Sequence, residues 1–213
     1  MKILQVSHNN FKQSQIDETI KMLQKGGVIA FPTDTLYGVG ADLDNEEAIK
    51  SLYDIKQRPL EMPLILLGSN KEQLMSYVLD WTEIAEKLSE LFWPGGLTMI
   101  LKKSFKVPEY VVSGMDSVGI RVPAHPVVIK ILEEYGKPLA TSSANMSGNP
   151  SPNTARMVSE ELFETDLSLL LDAGKTPSEE QSTIIDLSGD EPIIIREGAV
   201  SAEKIMNEIR NIL

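Results

Sequence analysis

Two clusters of small polar side chains and a few isolated cations are the residues of this chain that could do chemistry. Thr33, Asp34, Thr35 and Tyr37 lie in FPTDTLYGVG, Phe31 to Gly40, directly after the apolar run Val28-Ile29-Ala30-Phe31. Thr141-Ser142-Ser143-Ala144-Asn145 follows Pro138-Leu139-Ala140. Between them, Lys56 and Arg58 come just where Pro59 stops a helix. Arginine offers a planar fork to phosphate or carboxylate and lysine a mobile point charge, so cations returning towards a hydroxyl-rich loop suit an anionic substrate. Arg121 is a lone cation in Val118-Gly119-Ile120-Arg121-Val122. An unpaired charge there is costly, which calls for a carboxylate partner, either a substrate's or an acid of the chain itself. The plainer alternative is that Thr and Asp satisfy turn amides while Lys56 and Arg58 complement a helix dipole.

The chain has no Cys, and its two histidines, His8 and His125, are far apart in sequence. Thiolate nucleophiles, disulfides and Cys-based metal sites are excluded, and a zinc site or a histidine nucleophile has no support. Gly174-Lys175-Thr176 resembles the end of a phosphate-binding loop, but Leu169 occupies the position where the motif needs glycine. The remaining route to catalysis is positioning and electrostatics.

The elements that must hold these residues read as an alternating α/β pattern. Ile16, Ile20 and Leu23 repeat at helical spacing over Ser14–Lys25, ended by Gly26-Gly27. Val28–Phe31 reads as a strand buried on both faces, and Gly38 and Gly40 as loop glycines that permit tight geometry. Asn45 caps a helix with Ala48, Ile49, Leu52 and Tyr53 on one face. Further strands are expected over Pro63–Leu67, Leu97–Leu101, Val118–Val122, Leu167–Leu171, Thr183–Leu187 and Pro192–Arg196. Helices are expected over Thr82–Phe92, from Pro126 through Tyr135, over Thr154–Leu162 and after Ser201, with a short one opened by a Ser69/Glu72 capping box. The loop around Val111-Val112-Ser113-Gly114 is placed to cover the site.

At 213 residues with 42% hydrophobic content the chain can bury a sizeable core, and no linker-like tract divides it, so one domain over residues 1–213 is expected. No stretch reads as a signal peptide or a membrane span, which fits a cytoplasmic protein. A net charge of −11 argues against broad nucleic-acid binding, so any anion site must be local.

FPTDTLYGVG, KQRP at Lys56–Pro59 with Pro63-Leu64, WPGGLT at Trp93–Thr98, VGIRVP at Val118–Pro123, SSAN at Ser142–Asn145, PSP at Pro150–Pro152, STIID at Ser182–Asp186 and REG at Arg196–Gly198 occur in this order. Together they resemble the YrdC/TsaC family of threonylcarbamoyl-AMP synthases, single-domain type. The resemblance implies a three-layer α/β fold, a twisted mixed parallel/antiparallel sheet of about seven strands with helices on both faces. It implies a nucleotidyltransferase that joins L-threonine, bicarbonate and Mg²⁺-bound ATP to give threonylcarbamoyl-AMP and pyrophosphate, for modification of tRNA adenosine 37. By the same resemblance, Lys56 and Arg58 hold phosphates and the carboxylated intermediate, Ser143 and Asn145 contact the nucleotide, Arg196 adds a phosphate contact, and Thr35, Arg121 and Ser182 form the threonine pocket. It implies no resident metal on the protein, a transient contact with the complex that passes the threonylcarbamoyl group to tRNA, and weak or absent tRNA binding. Many members of the family carry a histidine just after the strand that follows KxRP, in the pattern Pro-Leu-x-x-His, but the matching residue here is Leu67, so a threonine contact carried by that histidine is absent or replaced. Two other functions compete: an RNA-binding module of translation or ribosome maturation, disfavoured by the acidic charge, and a carbamoyl-transferring maturation domain, usually embedded in much longer chains.

Overall fold

The computed structural model describes residues 1–7 and 10–212; His8, one of the two histidines, lies outside the described residues. Ten strands form one sheet in the order β1-β8-β2-β3-β7-β4-β6-β5-β9-β10. They are β1 (Lys2–Gln5), β2 (Ile29–Phe31), β3 (Gly38–Asp42), β4 (Ile65–Leu67), β5 (Leu97–Lys102), β6 (Ser117–Arg121), β7 (Leu139–Ser143), β8 (Leu169–Asp172), β9 (Thr183–Asp186) and β10 (Ile193–Arg196). Pairing is mixed: β1/β8, β2/β8, β4/β6 and β5/β9 are parallel, and the other neighbours antiparallel. The expected mixed sheet is present, with ten strands where about seven were expected.

Alternation along the strands sorts side chains between two cores, because successive residues point to opposite faces. On one face Val28 and Ala30, Leu66, Ala140 and Leu170 join Val118 and Ile120, Met99 and Ile185 in a core that spans most of the sheet. It is covered by α2 (Glu46–Lys56), α4 (Glu83–Phe92), α5 (Glu109–Val112), α7 (Ala155–Leu162) and α8 (Ala202–Arg210), with Leu74 of the short α3 (Lys71–Met75). On the other face Ile29, Phe31, Leu67, Leu139, Leu169 and Leu171 pack against Ile16 and Leu23 of α1 (Gln13–Gln24) and Val127, Val128, Ile131 and Leu132 of α6 (Pro126–Tyr135). Among the described residues β5, β6, β9 and β10 contribute nothing to this second core. Helices therefore lie on both faces, but on the second face they cover only half of the sheet.

Local signals explain most boundaries. Asn45, Thr82, Thr154 and Ser201 each accept a backbone N–H at a helix start, and Pro126 opens α6. The cap of α3 is Asn70, whose side chain accepts from Gln73 N, and not Ser69: the capping box is displaced by one residue because Asn reaches the third amide equally well. Gly38 and Gly40 are not loop glycines. They sit in β3, where a Cβ would meet the Phe31 ring at 3.1 Å from either position, so their bareness seats that ring against the strand. β1 was not anticipated, since KILQ is too short and too exposed to alternate clearly. The 111–114 segment is a helix end whose Val111 and Val112 are buried in the first core, not a cover for the site.

Candidate functional site

The uncovered half of the second face is the floor of a cleft of about 480 Å³. Register builds that floor: Thr141, Ile65, Gly119 and Ile100 stand opposite one another across β7, β4, β6 and β5, and Ile184 and Ile195 extend it over β9 and β10. Gly119 leaves the row open, since a Cβ there would lie 2.7 Å from Ile65 Cγ2. The 32–37 loop, leaving β2, forms one wall, with Thr33, Thr35 and Tyr37. Arg58, Met62, Ser142 and Ser143 line another side, and Gln181, Ser182 and Arg196 a third.

Three guanidinium groups reach this cleft, each restrained differently. Arg121 is 5% exposed; its Nη2 donates to Asp34 Oδ1 at 2.8 Å, its Nη1 to Thr35 Oγ1 at 3.0 Å and its Nε to Gly95 O at 2.9 Å. The carboxylate that the sequence demanded of Arg121 is thus internal, and Asp34 also accepts the Ala124 N–H. Thr33 Oγ1 donates to Leu36 O, so the proton between Thr33 and Thr35 comes from Thr35, whose oxygen in turn accepts from Arg121. Arg58 donates from Nε to Met62 O and from Nη2 to Pro63 O. Arg196 donates from Nε and Nη2 to Ser182 O, and its Nη2 also reaches Ser182 Oγ, which is 2.9 Å from Thr98 Oγ1. Among the described residues Arg58 and Arg196 form no ion pair; Arg58 has the Tyr53 side chain as a further hydrogen-bonding neighbour. Burial holds all three arginines below their ordinary pKa; Asp34 opposes this at Arg121, and the charge of Arg121 adds to it at Arg196. The cleft carries unneutralised positive charge over an apolar floor.

Of the eight residues singled out from the sequence, Arg58, Ser143, Arg196, Thr35, Arg121 and Ser182 all line this cleft. Lys56 and Asn145 do not. Lys56 is 1% exposed and donates from Nζ to the carbonyls of Ser143 and Asn145, which places it behind the cleft wall; the expectation that it faces a site and not the core is corrected. Burial, followed by repulsion from Arg58, pushes it down to about 7. Asn145 spends its Nδ2 on Met146 O and Asn149 O, and its Oδ1 accepts from Ser151 Oγ. Sequence reasoning placed Asp34 in the polar loop but did not pair it with Arg121, and did not assign Thr98, Gln181 or the isoleucine floor to the site. Ile184 and Ile195 could have been found from strand alternation, but which face lacks a helix is set by tertiary packing. Leu67 stands at the border, in the covered core and lining the cleft.

A model of the Sua5/YciO/YrdC family, described as "Telomere recombination", matches residues 21–198. The chain belongs to the Sua5/YciO/YrdC family. The matched span holds every motif quoted above and all the cleft arginines. Within the family the chain is 40% identical over 191 residues to a threonylcarbamoyl-AMP synthase of Pyrococcus abyssi, covering 88% of this chain and 56% of that protein. The chain thus spans little more than half the length of that relative. A crystal structure of P. abyssi Sua5 complexed with L-threonine superposes with a TM-score of 0.94 at 37% identity, over 98% of this chain and 61% of that one. E. coli YciO superposes with a TM-score of 0.86 at 27% identity, over 96% and 99% of the two chains. The Sua5/YciO/YrdC fold, a mixed open sheet with helices, is therefore shared across the described chain.

Proposed function

We propose that this chain is an L-threonylcarbamoyladenylate synthase, a nucleotidyltransferase acting on L-threonine, bicarbonate and ATP. The observation that carries the reading is the pair of guanidinium groups held by backbone carbonyls without a carboxylate partner among the described residues, Arg58 and Arg196, in one cleft with the hydroxyls of Thr35, Thr98 and Ser182. Anionic phosphates or a carbamate complete those arginines, and a small hydroxylated amino acid suits the hydroxyl-lined end. The relatives named threonylcarbamoyl-AMP synthase and the threonine complex of a 37%-identical protein support the same choice.

In the reaction the threonine amine forms a carbamate with bicarbonate, releasing water. A carbamate oxygen then attacks the α-phosphorus of ATP, and the bond to the bridging oxygen of pyrophosphate breaks. The chain's part is to gather these anions and hold them in line, with the arginines fixed in advance by backbone carbonyls so that little reorganisation is needed as charge moves. Mg²⁺ arrives on the ATP phosphates as part of the substrate. Cytoplasmic location and transient hand-over to a tRNA-modifying complex belong to the same proposal; the acidic surface leaves tRNA binding weak. Arg121, already paired with Asp34, contributes its remaining N–H groups to the threonine end.

The test is pyrophosphate release from Mg²⁺-ATP by purified protein. Release should require both threonine and bicarbonate and yield threonylcarbamoyl-AMP by mass. Release that is unchanged without threonine, or absent with all three substrates, overturns the reading.

A further inference from the structure

Resting on that reading, we propose that Lys56 is a positioning residue that acts on the bound nucleotide only through the backbone of Ser143 to Asn145, without touching a phosphate. Its helix, α2, packs on the fully covered face, so the side chain arrives from behind the cleft wall. The ammonium donates to two carbonyls two residues apart, Ser143 O and Asn145 O, while Ser147 N returns a bond to Lys56 O. Between these anchors Ala144 N donates to Tyr37 O, so the wall segment is tied both to α2 and to the loop carrying Thr35. The tie continues outwards: Asn145 Oδ1 accepts from Ser151 Oγ, which accepts from Gln181 Nε2, next to Ser182. Lys56 is thus the buried end of a hydrogen-bonded chain that joins two walls of the cleft. A phosphate could reach this ammonium only by displacing the 143–145 segment. With two of its three N–H groups committed to carbonyls, withdrawing the side chain would leave two buried acceptors unsatisfied.

The experiment compares wild type, Lys56→Met and Arg58→Gln in titrations of adenosine, AMP, Mg²⁺-ATP and threonine at low and high salt, with hydrogen exchange of the free proteins. Lys56→Met should weaken all three nucleotide ligands by one common factor of about ten, the order expected for leaving buried carbonyls unsatisfied. Threonine affinity and the salt dependence of ATP binding should stay as in wild type, and exchange at residues 144–147 should quicken. Arg58→Gln should instead weaken ATP more than adenosine and flatten the salt dependence. Should Lys56→Met fail to fold, Lys56→Gln, which keeps two N–H donors on a shorter arm, is read the same way. A Lys56→Met loss that grows with the number of phosphates, or unchanged exchange at 144–147, overturns the inference alone. Wild-type protein that binds no nucleotide overturns the synthase reading and the inference with it.

Discussion

The two halves of one sheet face are built from the same strands' worth of alternation and end in opposite roles. Over β1, β8, β2, β3 and β7, helices α1 and α6 bury Leu, Ile and Val at or near zero exposure. Over β6, β5, β9 and β10 no helix among the described residues arrives, and the face keeps Gly119, Thr98, Ser117 and scattered isoleucines beneath three arginines. The sheet's other face, continuously covered, supplies the rigidity that lets the bare half carry uncompensated charge. A cation costs least where a ligand or water can still reach it, and the arginines are tethered to carbonyls at that open edge.

The comparison breaks most visibly at Arg121, which belongs to both halves in energetic terms. Arg121→Gln leaves Asp34 without its partner and should cost about 3–5 kcal/mol of stability, as removal of one member of a buried pair does, with threonine affinity lost as well. Urea unfolding and calorimetric titration measure the two effects; unchanged stability would mean that Asp34 does not depend on the pair.

On the covered half, Leu132→Ala should cost about 2–5 kcal/mol in unfolding while leaving nucleotide binding intact. On the bare half, Arg58→Ala and Arg196→Ala should each slow turnover by roughly 10²–10³, about 2.7–4 kcal/mol of transition-state stabilisation, with little change in unfolding. Large stability losses in the arginine variants would erase the distinction between the halves.

The smallest effect is a pH dependence. Lys56 has a folded-state pKa of about 7 against an ordinary 10.5, so between these values the unfolded chain binds more protons and stability rises with pH. Relative to wild type, Lys56→Met should remove that rise in chemical unfolding between pH 7 and 9; equal slopes in both proteins would show that Lys56 stays protonated in the fold.

Much of this arrangement was legible from residues. The caps at Asn45 and Ser201, the helices beginning near Thr82 and Thr154, the double-sided strand at Val28–Phe31 and the need of Arg121 for a carboxylate follow from local chemistry and burial cost. What could not be read was tertiary. Gly38 and Gly40 look like turn glycines until Phe31 is seen lying against them. Lys56 at a helix C-terminus looks like a solvent-facing complement to the dipole, and only the position of the carbonyls of Ser143, at the end of β7, and of Asn145 beyond it turns it inwards. Asp34 and a substrate carboxylate are equivalent partners for Arg121 in the sequence, and a 2.8 Å contact separates them. Periodicity puts Ile100, Ile184 and Ile195 on one face but cannot tell that this face lacks a helix, because they alternate as core strands do.

The most direct test is a crystal of this protein soaked with Mg²⁺-ATP and threonine. Phosphate oxygens should lie against the guanidinium groups of Arg58 and Arg196, with threonine between Thr35, Arg121 and Ser182 and Lys56 still bonded to Ser143 O and Asn145 O. Nucleotide bound instead in the surface groove lined by Lys50, Asp54 and Glu164 would contradict the assignment of the bare half as the site.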